Sequence, residues 1–191
     1  MRVSKEKSAE TQRRILDVAS AMFREKGFDG VGVADLMKGA GLTHGGFYGH
    51  FASKQDLAAR ACTRALEGSE ERWTNLIEDA PDESLGALVS SYLSPRHRDH
   101  PGRGCAMAAL GSDMARQESS VRRAFTEGIK PLLAILERIV PGRGSAARRE
   151  RAVAAMAGLV GALVLARAVD DPEISEEFLR ATEAILGGRD R

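Results

Sequence analysis

The sequence predicts an all-α protein. Apolar residues recur three and four positions apart in almost every segment, which is the spacing of one face of an α-helix. No segment shows the period-two alternation that is typical of a half-buried strand. Turn signals separate the helical segments, and the clearest are Gly27, Gly41, Pro81 and the sequence PGRGSA at residues 141–146. Together these patterns predict about nine helices and no sheet.

The composition is that of an ordinary soluble, helix-rich protein. Of the 191 residues, 43% are hydrophobic and 29% are charged, and the net charge is +1. Residues 1–56 carry 9 Lys and Arg against 7 Asp and Glu, which leaves 19 against 20 for the remainder. Bulk charge therefore neither supports nor excludes a nucleic-acid partner, and the local placement of residues has to decide.

Cysteine content and hydropathy favour a cytoplasmic protein without metal or membrane attachment. The two cysteines cannot form a disulfide framework or a metal-ligand cluster. The N-terminal MRVSKEKSAE has no apolar core and so does not read as a signal peptide. The longest uncharged apolar stretch, residues 152–166, has 15 residues and is too short to cross a bilayer. No pattern indicates a bound cofactor.

The N-terminal third contains two predicted helices before the turn at Gly41. Residues 1–8 are predicted to be a polar, solvated arm, with a contact of Arg2, Lys5 and Lys7 to a phosphate backbone as the alternative. The first helix spans residues 9–26 and is ended by Gly27. The second helix spans residues 33–40.

Residues 33–54 form a helix, a tight turn and a second, very short helix. The short helix covers residues 44–51, with Thr43 placed as its N-cap and with Phe47 and Phe51 directed inward. Its three glycines cost about 1 kcal/mol each relative to alanine, so it can exist only when packed on its neighbours. A helix-turn-helix places its second helix in the major groove of DNA. This stretch therefore predicts a DNA reader.

Six further helices are predicted after Phe51, together with one irregular segment. A long helix at 54–78 begins at the N-cap Ser53 and is followed by helices at 82–93 and 105–116. Between the last two lies the irregular sequence PRHRDHPGRG, residues 95–104. Another helix covers residues 119–140 and contains Pro131, which predicts a kink near 127–128. Helices at 147–169 and 175–186 complete the chain.

The first 57 positions resemble the TetR family of bacterial transcription regulators. The resemblance lies in AGLTHGGFYGHFASKQDL at residues 40–57, where the family pattern has Thr, Gly, an aromatic or aliphatic residue, Tyr, His and Phe at these offsets. It covers about 30% of the chain in detail. It implies a three-helix DNA-binding domain, residues 1–52, and a six-helix domain, residues 53–191. The second domain is expected to bind a small ligand and to form a homodimer through the last two helices.

The resemblance also assigns roles to single residues. The residues expected to contact phosphates are Thr43, Tyr48, His50 and Lys54, and those expected to face base edges are His44, Gly45 and Gly46. Two departures from the family pattern matter. Gly32 stands where a capping Ser or Thr is common, and Gly46 and Gly49 replace side chains that often extend from the reading helix. Specificity is therefore expected to depend on His44, on dimer spacing and on DNA shape.

Small residues four positions apart mark the predicted dimer face. Ala154, Gly158 and Ala162 would let two helices approach closely, with Val153 and Leu165 beside them. A helix that is apolar all round must be buried on several sides, and an ordinary core helix is the alternative. A homodimer would read a pseudo-palindromic operator in double-stranded DNA.

The effector pocket is the least determined part of the sequence interpretation. The candidate lining residues are Trp73, Tyr92, Cys105, Met107, Leu110, Met114, Phe125 and Leu133, although core packing explains each equally well. Cys105 opens a helix beside Arg103 and His100, a setting that favours a reactive thiol. Cys62 has no such neighbours and is interpreted as a packing residue.

The function that the sequence favours is a homodimeric repressor that an unknown small-molecule effector releases from DNA. An activator and a thiol-based electrophile or redox sensor acting through Cys105 are the alternatives. An enzyme is a remote one, with Cys105, Asp113 and His97 or His100 as a conceivable nucleophilic set. No nucleophile elbow, metal motif or phosphate loop supports it.

Overall fold

The computed structural model describes residues 5–187, and within that range every regular element is helical. The α-helices are α1 Lys5–Lys26, α2 Val33–Gly39, α3 Lys54–Asp79, α4 Ser84–Tyr92, α5 Pro95–Asp99, α6 Ala106–Met114, α7 Ser119–Ile139, α8 Ser145–Ala168 and α9 Pro172–Leu186. Short 3-10 helices occur at His44–Gly49, Pro81–Glu83 and Pro101–Arg103. The predicted all-α class is therefore confirmed.

The main departures from the predicted boundaries lie at helix starts. Helix α1 begins at Lys5, so residues 5–8 are helical and their assignment to a solvated arm was wrong; Arg2 lies outside the described residues. Helix α9 begins at Pro172 because the carboxylate of Asp171 accepts hydrogen bonds from two backbone N–H groups of its first turn. The irregular segment contains α5 and a 3-10 turn.

The starts of α2 and of the long helix α3 show how the chain caps its helices. The Ser53 hydroxyl accepts the Asp56 N–H at 3.1 Å, as predicted, and the Asp56 carboxylate accepts the Ala52 N–H at 3.1 Å. At α2 the cap residue is Gly32, and the Asp35 carboxylate accepts its backbone N–H at 3.4 Å. A carboxylate inside each helix thus supports its start.

Helices α3 and α7 form the centre of the core. Helix α7 continues without a break through Pro131. One turn earlier, Gly128 lies so close to Leu66 of α3 that an added Cβ would come within 2.8 Å of the Leu66 Cβ. Leu66 is 1% exposed and cannot move aside. Glycine at this position therefore lets the two central helices, α3 and α7, approach each other.

Helix α1 packs against α3, α6 and the Pro101–Arg103 turn, and two polar contacts support this packing. Arg64 of α3 pairs with Asp17 of α1 at 2.9 Å, and both side chains are exposed. The second connection is buried more deeply: the Arg24 guanidinium of α1 donates to the carbonyl oxygen of Gly102, with an Nε–O distance of 3.0 Å. Glu25 packs against Gly102 so closely that a Cβ at Gly102 would collide with it. The 101–103 turn is thus fixed to α1.

Helix α8 is long and apolar enough to cross a membrane by length and composition, with a mean hydropathy of 1.6 over its best 18-residue window. In the fold it packs against α6, α7 and α9 and buries seven of its residues. A core helix of a soluble protein passes the same test. We therefore interpret α8 as a helix shared between the core and an exposed apolar face.

Candidate DNA-binding face and ligand cavity

The second helix of the helix-turn-helix is a 3-10 helix, His44–Gly49, anchored by phenylalanines. Phe47 is fully buried, and its ring stacks on Phe51 with the centroids 5.7 Å apart. Tyr48 meets the Phe47 ring edge-on at 5.2 Å. Glycines make a regular α-helix unfavourable here, so tertiary packing of the phenylalanines holds this segment in place.

Most of the residues predicted to contact DNA are exposed to solvent. Tyr48 is 72% exposed although it is aromatic, and Thr43, His44, Gly45 and Gly46 are also exposed. A Cβ added at Gly45 or Gly49 would find no atom within 4 Å, so protein packing does not explain these glycines. This surface therefore has the room that a nucleic-acid backbone or groove edge would need.

One predicted detail of this face differs in the structure. Thr43 occupies the N-cap position, but its hydroxyl makes no capping hydrogen bond, so its assignment as a side-chain cap was wrong. His50 and Lys54, which are predicted to contact phosphates, are half-buried. The carbonyl oxygen of His50 accepts a hydrogen bond from Gln12 Nε2 of α1 at 3.0 Å. Helix α1 thereby positions the end of the 3-10 helix.

A cavity of about 520 Å³ lies among α3, α4 and the segment that leads to α6. Trp73, Tyr92 and Cys105 line it, as predicted. The other five candidates do not: Met107, Leu110 and Met114 are buried in the core, and Phe125 and Leu133 are half-buried on α7. Their helix faces pack against neighbouring helices, which leaves no open wall there.

The rest of the cavity wall is mostly polar and was missed by sequence reasoning. It consists of Ser69, Arg72, Leu76, Leu88, Ser91, Ser94, Arg96, His97, His100, Arg103 and Gly104. The signal was present in the irregular sequence PRHRDHPGRG, which is rich in cations and supplies five of these residues.

His97 fixes the loop that forms this wall. The backbone N–H of Cys105 donates to His97 Nε2 at 2.8 Å, so Nε2 is the accepting nitrogen and Nδ1 carries the proton. Nδ1–H donates to the carbonyl oxygen of Tyr92 at 2.7 Å. Burial lowers the pKa of His97 to about 4, and the positive charges of Arg167 and Arg72 act in the same direction. His97 is therefore neutral at physiological pH.

Two arginines from distant helices hold the same loop. Arg167 of α8 donates from Nε to the carbonyl oxygen of Arg98 at 3.0 Å and from Nη2 to that of His97 at 2.6 Å. Arg24 of α1 holds the carbonyl of Gly102. Burial, followed by the charge of Arg72, lowers the pKa of Arg24 to about 10, which leaves it protonated. The loop thus joins the cavity to α1 and α8.

The two cysteines differ in their surroundings. Cys62 is buried within α3, and burial raises the pKa of its thiol to about 12, in keeping with a packing role. Cys105 is also buried, but it lies on the cavity wall within electrostatic reach of Arg24, Arg72 and Arg167. Among residues 5–187, no group of three or more His, Cys, Asp and Glu residues could hold a metal ion.

The exposed apolar face of α8 is rotated from the predicted one. Val153, Ala154 and Leu165 are exposed as expected. Ala162, however, is 5% exposed and belongs to the core of its own chain, and Gly158 packs against Leu186 of α9. The exposed stripe continues instead through Ala157, Val164 and Ala168. Gly161 is half-buried, with open space where a Cβ would lie. On α9, Ile174 and Ile185 are also exposed.

We expect acid to destabilise the protein partly through His97. Its folded pKa of about 4 lies below the ordinary value of 6.5, so the unfolded chain takes up the proton first as the pH falls. The stabilisation is complete above pH 6.5 and is lost towards pH 4, on the order of 3 kcal/mol. Urea unfolding of the His97→Gln variant should lack this part of the pH dependence. The exposed His100→Gln should keep it, and an unchanged slope in His97→Gln would contradict the assignment.

Comparison with known sequences supports the interpretation of the N-terminal part of the chain as a helix-turn-helix region. Residues 15–61 match the family described as "Bacterial regulatory proteins, tetR family". The uncharacterized HTH-type transcriptional regulator YfiR of Bacillus subtilis strain 168 is 32% identical over 92 residues, 48% of this chain. The HTH-type transcriptional repressor NemR of Escherichia coli strain K12 is 22% identical over 137 residues, 70% of this chain. The matched stretches span 43% and 69% of those two proteins.

Comparison with solved structures extends the likeness to the whole described fold. The crystal structure of E. coli NemR in its reduced form has a TM-score of 0.77 at 21% identity. The likeness covers 93% of this chain and 95% of that one. Residues 15–61 therefore match the TetR family of bacterial regulatory proteins by sequence, and the described chain shares its all-helical fold with E. coli NemR.

Proposed function

We propose that this protein is a cytoplasmic, homodimeric transcriptional repressor that a small molecule bound in the cavity releases from DNA. The observation that carries the proposal is the exposure of the 3-10 helix. The Tyr48 side chain on it is 72% exposed, and His44 and Thr43 beside it are exposed as well. A large aromatic side chain left in solvent on a helix-turn-helix fits a surface that binds a partner. The repressor relatives support the direction of regulation.

The proposed DNA contacts divide into two kinds. The side chains of Thr43, Tyr48, His50 and Lys54 fix the protein on the phosphate backbone and carry little sequence information. His44 is the one long side chain on the part of the 3-10 helix that faces base edges, beside Gly45 and Gly46. Direct readout is therefore sparse, and DNA shape together with half-site spacing supplies the remaining specificity.

The proposed dimer forms through the exposed apolar stripe of α8 and α9. Val153, Ala154 and Leu165 lie on it together with Ala157 and Val164. Gly161 has open space around its Cα, so a second helix can approach closely there. With a two-fold axis at this face, each protomer places its 3-10 helix on one half-site of the operator.

The proposed release works through the loop that forms the cavity wall. A ligand can shift the protein away from the DNA-bound arrangement only by binding the other arrangement more tightly. The loop residue Arg103 lines the cavity, and its neighbour Gly102 is bonded to Arg24 of α1. Movement of the loop is thereby passed to the helix that supports the DNA-binding face. Helix α3 provides a second route, because it contains both Lys54, at its start, and the cavity residue Trp73.

The DNA contacts can be tested with sites selected from a random-sequence pool. We expect Lys54→Gln to lower affinity for all sites and to reduce the slope of log K against log salt concentration by about 2 for the dimer, because two phosphate contacts are lost. Tyr48→Phe should weaken all sites without changing their rank. His44→Ala should change the rank order. Fluorescence anisotropy at several salt concentrations measures all three.

The matched control for that series is Lys130→Gln, which removes the same charge from α7, where Lys130 pairs with Glu127. It should leave both affinity and slope unchanged. Absence of any sequence-specific binding near physiological salt would contradict the repressor proposal. Unaltered site preference in His44→Ala would contradict its role in base reading.

The dimer is tested by placing a charge on the stripe. We expect Leu165→Glu to dissociate the dimer, because the introduced carboxylate would be buried without a partner. Sedimentation equilibrium should then give the monomer mass, and operator affinity should fall by more than tenfold, since each half-site binds alone. Ala134→Glu, at an exposed position of α7, is the control and should remain dimeric. A dimeric Leu165→Glu protein would place the interface elsewhere.

A second candidate is a thiol sensor, favoured by the position of Cys105 on the cavity wall among three arginines. Its imidazole neighbour does not act on the sulfur, because His97 Nε2 is occupied by the backbone N–H of Cys105. In this candidate function, an electrophile that enters the cavity modifies the Cys105 sulfur. Such a modification would fill part of the cavity and displace the loop.

N-ethylmaleimide tests this candidate. The thiolate sulfur adds to the maleimide double bond, which forms one C–S bond, and the adjacent carbon takes up a proton. We expect the adduct at Cys105 to lower operator affinity at least tenfold in a Cys62→Ala protein. A Cys105→Ala protein that retains Cys62 should be insensitive, because the buried Cys62 thiol has a raised pKa. Unchanged affinity after complete modification of Cys105 would rule out the thiol sensor.

A further inference from the structure

We propose that the cavity takes an organic anion: a carboxylate or similar oxyanion bound by Arg72, Arg103 and the Tyr92 hydroxyl, with an apolar body against Trp73. This deepens the proposed function by naming the chemical class of the effector, and it rests on that function only in calling the ligand an effector. The charge, hydrogen-bonding capacity and shape of the cavity wall support it.

The charge of the wall is positive. Arg72, Arg96 and Arg103 line the cavity, and no Asp or Glu does. None of the three has an ion-pair partner among residues 5–187; the Arg72 guanidinium donates instead to the neutral hydroxyl of Ser69 at 2.9 Å. Guanidinium groups bind carboxylates and phosphates through paired N–H donors, so unpaired arginines around one cavity favour an anionic ligand.

The hydroxyl of Tyr92 gives an independent indication of a ligand. Tyr92 is 3% exposed and lines the cavity, yet its hydroxyl has no nitrogen or oxygen partner in the described part of the chain. Burial, and the Cys105 thiol beside it, raise the pKa of Tyr92 well above its ordinary value, so the phenol stays protonated. A buried O–H donor without an oxygen acceptor is costly, and a ligand oxygen would satisfy it.

The remaining wall fits an apolar body. Trp73, Leu76 and Leu88 supply apolar surface, and Trp73 packs edge-on against Tyr92 with ring centroids 6.0 Å apart. A volume of about 520 Å³ lies in the range of pockets that hold small organic molecules. An inorganic ion would leave the apolar part empty, so the wall favours an amphipathic anion.

An anion bound at this position would also contact the loop that connects to the N-terminal domain. Arg103 belongs to the Pro101–Arg103 turn, whose Gly102 carbonyl is held by Arg24. Arg24 and Arg72 lie close enough for their charges to lower the pKa of Arg24. An anion bound by Arg72 and Arg103 would relieve this repulsion and pull the turn towards the cavity.

The proposal is tested with pairs of probes that differ only in charge. The probes are octanoate against octanamide and 4-phenylbutyrate against 4-phenylbutanamide, with octyl phosphate to distinguish a phosphate head from a carboxylate. Trp73 is the only tryptophan of the chain, so its fluorescence reports occupancy of the cavity without DNA. At 0.15 M salt we expect, in at least one pair, the anion to bind at least about tenfold more tightly than the amide.

Three variants locate the anion. Arg72→Gln, Arg103→Gln and Tyr92→Phe should each weaken binding of the anion by about five- to tenfold and leave binding of the amide unchanged. Arg103 is exposed, so its variant keeps the fold even if the other two do not. Arg122→Gln, at an exposed position of α7 away from the cavity, is the charge-matched control and should bind as the wild type does.

The outcomes separate the ligand class from the regulator function. Equal binding of acids and amides, no change of Trp73 fluorescence with any probe, or an equal loss in Arg122→Gln would overturn the anion site. Tighter binding of octyl phosphate than of octanoate supports it and assigns a phosphate head. Binding of the anion without release of operator DNA, measured separately by anisotropy, leaves the anion site intact and contradicts the ligand-released repressor.

Discussion

The architecture of the ligand cavity depends on how the irregular chain between α4 and α6 satisfies its backbone polar groups. Outside regular structure, buried carbonyl and amide groups need partners from elsewhere. His97 accepts the Cys105 N–H and donates to the Tyr92 carbonyl, and Arg167 and Arg24 donate to further carbonyls. These bonds come from α1, α8 and the loop itself. The segment is therefore an ordered wall, and its position is tied to both ends of the molecule.

The same arrangement leaves the cavity strongly cationic, because the arginines that face it have no carboxylate partners on its wall. Charge that is unbalanced within the fold makes the loop sensitive to whatever occupies the cavity. Arg24 of α1 donates a hydrogen bond to the carbonyl oxygen of Gly102. The loop that forms the cavity wall therefore connects occupancy of the cavity to the orientation of α1. The proposed coupling between ligand binding and DNA binding can therefore involve α1 as well as α3.

The N-terminal domain works under a different constraint, the scarcity of side chains on its reading segment. Buried Phe47 and Phe51 hold the 3-10 helix, whereas Gly45 and Gly49 leave open space beside it. Packing rather than helix propensity keeps the segment in place. In the proposed function, this segment depends on phosphate contacts and on the spacing between two copies, for which the apolar stripe on α8 and α9 is the proposed interface.

The sequence alone determined the helical class, most helix positions and the Ser53 cap, because these follow from local periodicity and capping. From a contiguous pattern it also predicted which residues face DNA. It did not determine the cavity: Trp73, Tyr92 and Cys105 were identified, but the arginines were not, since residues distant in sequence meet there only through folding. Nor could spacing distinguish Ala162 from Gly161 on α8. Both are small, and only packing against neighbouring helices decides that Ala162 is buried in its own chain while Gly161 is half-buried with open space where a Cβ would lie.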